Sequence, residues 1–205
     1  MKAKLLRVSL MLLMAMIGTE AFAKDSDWIM RLRALNVRTS VKSNVQTVGG
    51  RVNVADDTIP EFDVTRFFSE NIAAELILGT SKHNVALKSS STGDASLGSV
   101  NLLPPTLTAQ YHFNPSGAFR PYAGAGLNYT FFYNAKSGDF NSVKYKNSLG
   151  YALQLGADYM INDRYSFNID VKKIFLKTKA TVNGSIGSNV RLDPWLFGAG
   201  IGYHF

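Results

Sequence analysis

The 205-residue chain contains no cysteine, few histidines and, beyond its amino-terminal segment, no long apolar run. Each shortage excludes something. Without cysteine there are no disulfides, so an exported domain of this size must be held by its core or by closure of a sheet. Without a second stretch approaching ~20 apolar residues, no helix crosses a membrane. His83, His112 and His204 are dispersed, so a transition-metal site is not expected, and nothing calls for another cofactor.

The amino terminus has the composition of an export signal. Lys2, Lys4 and Arg7 precede an apolar stretch from Val8 to Gly18, and Ala21-Phe22-Ala23 supplies a small-residue cleavage site. The apolar run is too short to span a bilayer. Residues 1–23 are therefore read as a cleaved signal peptide and 24–205 as a single domain. The net charge of +7 includes the basic leader, and the remainder is still basic. The expected partners are outer-membrane lipids, including lipopolysaccharide phosphates, not nucleic acid. Lys82, Lys88, Lys136, Lys144, Lys146, Lys177 and Lys179 lie where such phosphates could be met.

The mature chain alternates with period two, which is strand behaviour. From Trp195 to Phe205 one face carries Trp195, Phe197, Ala199, Ile201, Tyr203 and Phe205. The other carries Leu196, Gly198, Gly200, Gly202 and His204. A glycine face is too empty for a solvated exterior and suits the inside of a narrow barrel whose aromatic face meets lipid. Eight such segments are expected: Trp28–Val41, Ile59–Phe68, Ile72–Lys82, Val100–Phe113, Tyr122–Tyr133, Ser148–Met160, Tyr165 past Ile174, and Leu192–Phe205. Their connections alternate long and short. Lys42–Thr58, His83–Ser99, the stretch up to Asn147 and Lys177–Asn189 are long loops. Ser69–Asn71, Asn114–Pro121 and Asn162–Arg164 are tight turns. Together these features predict an all-β, eight-stranded antiparallel up-and-down transmembrane barrel, with short periplasmic turns and long extracellular loops.

With both termini placed in the periplasm, the aromatics form two girdles. Trp28, Phe67, Phe68, Tyr111, Phe113, Tyr159, Tyr165, Phe167, Tyr203 and Phe205 fall at the periplasmic ends. Phe131, Tyr133, Tyr151, Trp195 and Phe197 fall at the outer ends.

The same phase turns Arg31, Arg33, Glu61, Asp63, Glu75, Asp158, Asp170 and Lys172 inward. Unpaired charges in so small a lumen would be costly, so they are expected to interlock as a plug or as a polar floor beneath a ligand path. Gly124, Gly126, Gly198, Gly200 and Gly202 would make room for the long side chains, and closure of the meander puts the glycines of the last strand beside Arg31 and Arg33. Catalysis is not expected, because no serine motif accompanies any histidine.

The stretches Asn71-Ile-Ala-Ala-Glu-Leu76, Leu103-Pro-Pro-Thr-Leu107, Phe119-Arg-Pro-Tyr-Ala-Gly-Ala-Gly-Leu-Asn-Tyr-Thr130 and Val190-Arg-Leu-Asp-Pro-Trp-Leu-Phe197 resemble the outer membrane protein W (OmpW) family. The resemblance implies a monomeric barrel associated with moving small hydrophobic molecules across the outer membrane, with a sideways exit through the wall. Two departures stand out. Thr39 replaces a proline usual after the Val-Arg of the first strand. Glu61, Asp63 and Lys172 also point inward where members can narrow the lumen with apolar groups. The expected function is passive passage of small apolar solutes. The alternatives are a closed barrel acting through its loops in adhesion, recognition or membrane integrity, and a soluble lipocalin-like carrier.

Overall fold

The computed structural model describes residues 27–39, 41–44, 51–88, 93–183 and 186–205. The leader and its cleavage site lie outside this set. Fifteen strands follow in chain order: β1 (Trp28–Arg38), β2 (Lys42–Asn44), β3 (Arg51–Val54), β4 (Asp57–Phe67), β5 (Ile72–Gly79), β6 (Ser81–Lys88), β7 (Ala95–Leu103) and β8 (Thr106–His112). They continue with β9 (Phe119–Lys136), β10 (Val143–Tyr145), β11 (Ser148–Met160), β12 (Tyr165–Phe175), β13 (Lys177–Val182), β14 (Ile186–Arg191) and β15 (Trp195–His204).

Eight of these close a barrel in the order β11-β12-β15-β1-β4-β5-β8-β9, and β9 pairs back to β11. All pairings are antiparallel, as a meander with tight turns dictates. The first and last strands meet with Arg31 opposite Gly202 and Arg33 opposite Gly200. A Cβ on Gly200 would collide with the Leu32 carbonyl oxygen, so only glycine lets β15 lie so close to β1.

The outer face is apolar. Leu32 (62 % exposed), Leu149 (66 %) and Leu155 (65 %) stand on it, beside Leu127, Ile169, Phe197 and Ile201. A soluble carrier would bury such groups; a transmembrane barrel offers them to hydrocarbon. At the end carrying the termini, Tyr165, Tyr203 and Phe205 stack in a row, and Trp195 and Phe197 stack towards the far end. Phe67 departs from the expected girdle. It takes the inward phase and packs on His112 inside the barrel mouth, ring centroids 4.6 Å apart.

The long connections are the main difference from expectation. Within the described residues they are largely strand. β6 continues β5 after Thr80, β7 precedes β8 across Pro104-Pro105, β13 continues β12 after Leu176, and β14 leads into β15. These extensions build a second storey above the membrane-spanning barrel, in two four-stranded groups. One is β3-β6-β7 with the upper end of β9; the other is β10-β13-β14-β2. Among the described residues no ladder joins β2 to β3, or β9 to β10, so the storey has two seams.

These extensions escape a search for lipid-facing strands because the polarity of the two faces inverts while the phase does not. Along β5 and β6 the inward residues are Ala73, Glu75, Ile77, Ser81, His83, Val85 and Leu87. The outward ones change from Ile72, Ala74, Leu76 and Leu78 to Lys82, Asn84 and Lys88. Outside the membrane the wall faces water, so the greasy side chains move indoors. The seven rim lysines of the sequence reading are all exposed on this storey.

Candidate functional site

Two layers fill the interior. The lower layer is polar and holds all eight inward charges of the sequence reading, each almost wholly buried. Arg31, from β1, grips Asp158 of β11 with two hydrogen bonds, Nε to Oδ1 at 3.1 Å and Nη2 to Oδ2 at 2.7 Å. Its Nη1 donates to Asp63 Oδ1 at 3.1 Å and to Thr65 Oγ1 at 2.7 Å. One turn of the pleat higher, Arg33 donates from Nη1 to Glu61 Oε1 and from Nη2 to Glu75 Oε1, both at 2.9 Å, and from Nε to Asn168 Oδ1 at 2.7 Å. Lys172 of β12 donates to Glu61 Oε1 at 2.9 Å and to Asp170 Oδ1 at 2.5 Å.

Neutral side chains complete the layer. Gln154 donates to Glu75 Oε2 and Asp170 Oδ2, at 2.7 and 2.8 Å. Gln110 donates to Glu75 Oε2 at 2.8 Å, and the Tyr122 hydroxyl to Asp170 Oδ2 at 2.9 Å. The forked guanidinium suits this duty because its rigid donors reach several carboxylates at once. Seven barrel strands contribute, so the network fixes register around the cylinder. Chemically it is a filled, ion-paired floor, with three cations facing five carboxylates.

The upper layer is apolar. Leu35, Val37, Ile59, Ile77, Ile174 and Leu196 line its base, and Val85, Leu87, Leu97 and Val100 line its upper wall. They enclose a chamber of about 180 Å³ whose floor is formed by Glu61 and Lys172. Glu61, Asp63 and Lys172 stand in the polar layer, and the inward apolar side chains gather one layer above them. Sequence reasoning missed Val85, Leu87 and Leu97 because it treated His83–Ser99 as a loop. The readable signal was the inward parity of Glu75 and Ile77 running on unbroken to Val85 and Leu87.

Polar atoms on the chamber wall are few. The Ala55 carbonyl can only accept, so His83 Nδ1 donates to it at 2.9 Å, while Nε2 meets Ser81 Oγ at 2.9 Å. This pair satisfies itself. Thr39 Oγ1 is buried with no hydrogen bond among the described residues. At the β9/β10 seam Phe132 stacks on Tyr145, centroids 5.7 Å apart, and Thr39 and Asp56 bridge from β1 towards the other seam through a 3.1 Å hydrogen bond. Burial pushes the Tyr145 phenol up to about 12, so it stays neutral.

The chain is similar to known proteins. The sequence profile of the OmpW family matches residues 24–205. An uncharacterized outer-membrane protein of Sinorhizobium fredii, y4mB, is 45 % identical over 92 % of this chain and 84 % of its own. Outer membrane protein W of Escherichia coli K12 is 33 % identical over 98 % of this chain and its full length. The solid-state NMR structure of outer membrane protein AlkL in DMPC bilayers superposes with a TM-score of 0.66, at 26 % identity, covering 92 % of this chain and 94 % of that one. With its lipid-facing barrel, charged floor and apolar chamber, this chain belongs to the OmpW family of outer-membrane proteins.

Proposed function

We propose that this barrel lets small apolar molecules pass the outer membrane passively, without chemistry on them. The carrying observation is the apolar chamber standing directly on a buried, ion-paired floor. A solute entering from the far end finds a greasy site. It then meets a layer where every apolar group it brings would displace paired charge. Leaving along the axis is therefore unfavourable, and the exit runs sideways into the bilayer. In this reading the leader is removed after Ala23, both termini lie in the periplasm, the second storey faces the exterior, and the protein works as a monomer.

The test is entry of a hydrophobic fluorescent probe into liposomes. The reconstituted barrel is expected to speed entry over empty liposomes, and Ile77→Trp, which fills the chamber, to remove most of the gain. Entry at the empty-liposome rate would refute passage and favour a closed barrel acting through its outer storey.

Lipopolysaccharide is the proposed partner of the rim. Lys144, Lys146, Lys177 and Lys179 stand together on the outward face of β10 and β13 and the turns beside them. Binding to lipopolysaccharide vesicles is expected to fall several-fold between roughly 0.1 and 0.5 M salt, as the Debye length shrinks below about 5 Å. Changing all four lysines to glutamine is expected to flatten that dependence. Salt-independent binding by the unaltered protein would remove these lysines from the account.

A further inference from the structure

The floor of the chamber is not chemically symmetric. Glu61 is buried and faces the chamber, and its Oε1 takes both hydrogen bonds, from Arg33 and Lys172. Its second oxygen, Oε2, accepts none from the described residues. Oε2 is not one of the buried atoms that lack a partner, so it lies open to the chamber, where a donor can reach it. The cation beside it offers less. Lys172 commits two of its three N–H donors to Glu61 and Asp170, so carboxylates already flank it. With these two counted in, the buried charges of the floor comprise three cations (Arg31, Arg33, Lys172) and five carboxylates (Glu61, Asp63, Glu75, Asp158, Asp170). The floor thus has an acceptor to spare and negative charge in excess.

From this geometry, and resting on the passage reading above, we infer that the preferred solute is an amphiphile with an apolar body and a hydrogen-bond-donating end, best of all a protonated primary amine, which docks on Glu61 Oε2. The apolar body lies against Leu35, Ile59, Ile77 and Leu196. The ammonium donates to Oε2 and offsets part of the excess negative charge. An alcohol supplies the donor without the charge and binds less tightly. A carboxylate supplies neither and is repelled. Desolvating the head group is tolerable only where a partner of opposite sign waits, which makes the floor a selector of head-group charge.

The experiment uses the full barrel in nanodiscs of zwitterionic phosphatidylcholine, with isotope-labelled isoleucine and leucine methyls. Octylammonium, octan-1-ol and octanoate are titrated at neutral pH. Chamber methyls (Ile59, Ile77, Ile174, Leu196) report binding, and Leu149 and Leu155 on the outer face report partition into lipid. Octylammonium is expected to half-saturate the chamber methyls at roughly a tenth of the octanoate concentration or lower, a ratio that one charge reversal in a low-dielectric site readily supplies. Octan-1-ol is expected to fall between them. Octanoate binding as tightly as octylammonium would overturn the inference while leaving passage intact. Outer-face methyls shifting with no chamber response to any probe would overturn both.

Glu61→Gln keeps an acceptor and loses the charge. It is expected to erase the ammonium-over-carboxylate ratio while octan-1-ol binding changes by less than about twofold. A full ratio surviving in Glu61→Gln would take Glu61 out of the assignment. If that variant fails to fold, the comparison of the three probes on the unaltered barrel still decides.

Discussion

Arg33→Met is expected to destabilise the barrel by about 3–5 kcal/mol, the loss typical when one partner of a buried ion network is removed. Arg33 holds Glu61 and Glu75 at 2.9 Å and lies 3.1 Å from Asp63. Methionine fills much the same space but leaves those carboxylates facing one another across a dry lumen. The loss lies in the stranded acids, not in the arginine's own contacts. Glu75→Gln added to Arg33→Met should therefore restore part of the stability. Arg33→Lys keeps the charge but loses the fork, since one ammonium cannot span Glu61, Glu75 and Asn168 together, so it should fall between the two. Urea-dependent folding into phosphatidylcholine vesicles, followed by tryptophan fluorescence and the gel shift between folded and heated protein, measures all three. A cost below about 1 kcal/mol for Arg33→Met would mean that water or ions compensate the acids, and that the floor is not the ion-paired layer described here.

The second large effect concerns depth in the bilayer. Leu155 lies on the lipid face between Tyr151 and Tyr159 of the same strand and opposite Val171 and Ala123 of its neighbours. Leu155→Arg sets a guanidinium in mid-hydrocarbon and is expected to cost about 2–4 kcal/mol, whereas Leu149→Arg, near the rim, should cost about 0–1 kcal/mol because its head can reach water. Leu153 is intermediate. It faces lipid but pairs with Lys173, whose ammonium sits 4.8 Å from the Trp195 ring centroid at the edge of the barrel nearest the second storey. The same vesicle-folding measurement ranks the three. Equal losses at Leu149 and Leu155 would sink the placement of the hydrocarbon belt.

Much of this molecule was legible because a membrane barrel writes its fold into local alternation. The residue parity of β15 alone separates Phe197 and Ile201 from Gly198 and Gly200, and the tight turns mark where each strand reverses. The inward set from Arg31 to Lys172 could be read for the same reason, since parity places a charge inside whatever its partners are. Phe67 shows where that reading falls short: it was assigned to the girdle by its position near a strand end, although its own parity turns it inside. The upper storey was lost through an assumption about polarity. Val85 and Leu87 alternate as regularly as Leu153 and Leu155, but against asparagine and lysine on a wall that meets water.

Sequence alone therefore determined the eight-stranded barrel, its lipid-facing side and the identity of the inward charges, because period two and turn chemistry act between near neighbours in the chain. Only the tertiary structure decided which acid each arginine holds, that the polar and apolar interiors stack as separate layers, and that one oxygen of Glu61 is left facing the chamber. Those outcomes depend on shear and strand tilt, which bring Arg31 to Asp158 across 127 positions of sequence. No pattern confined to a single strand contains that information.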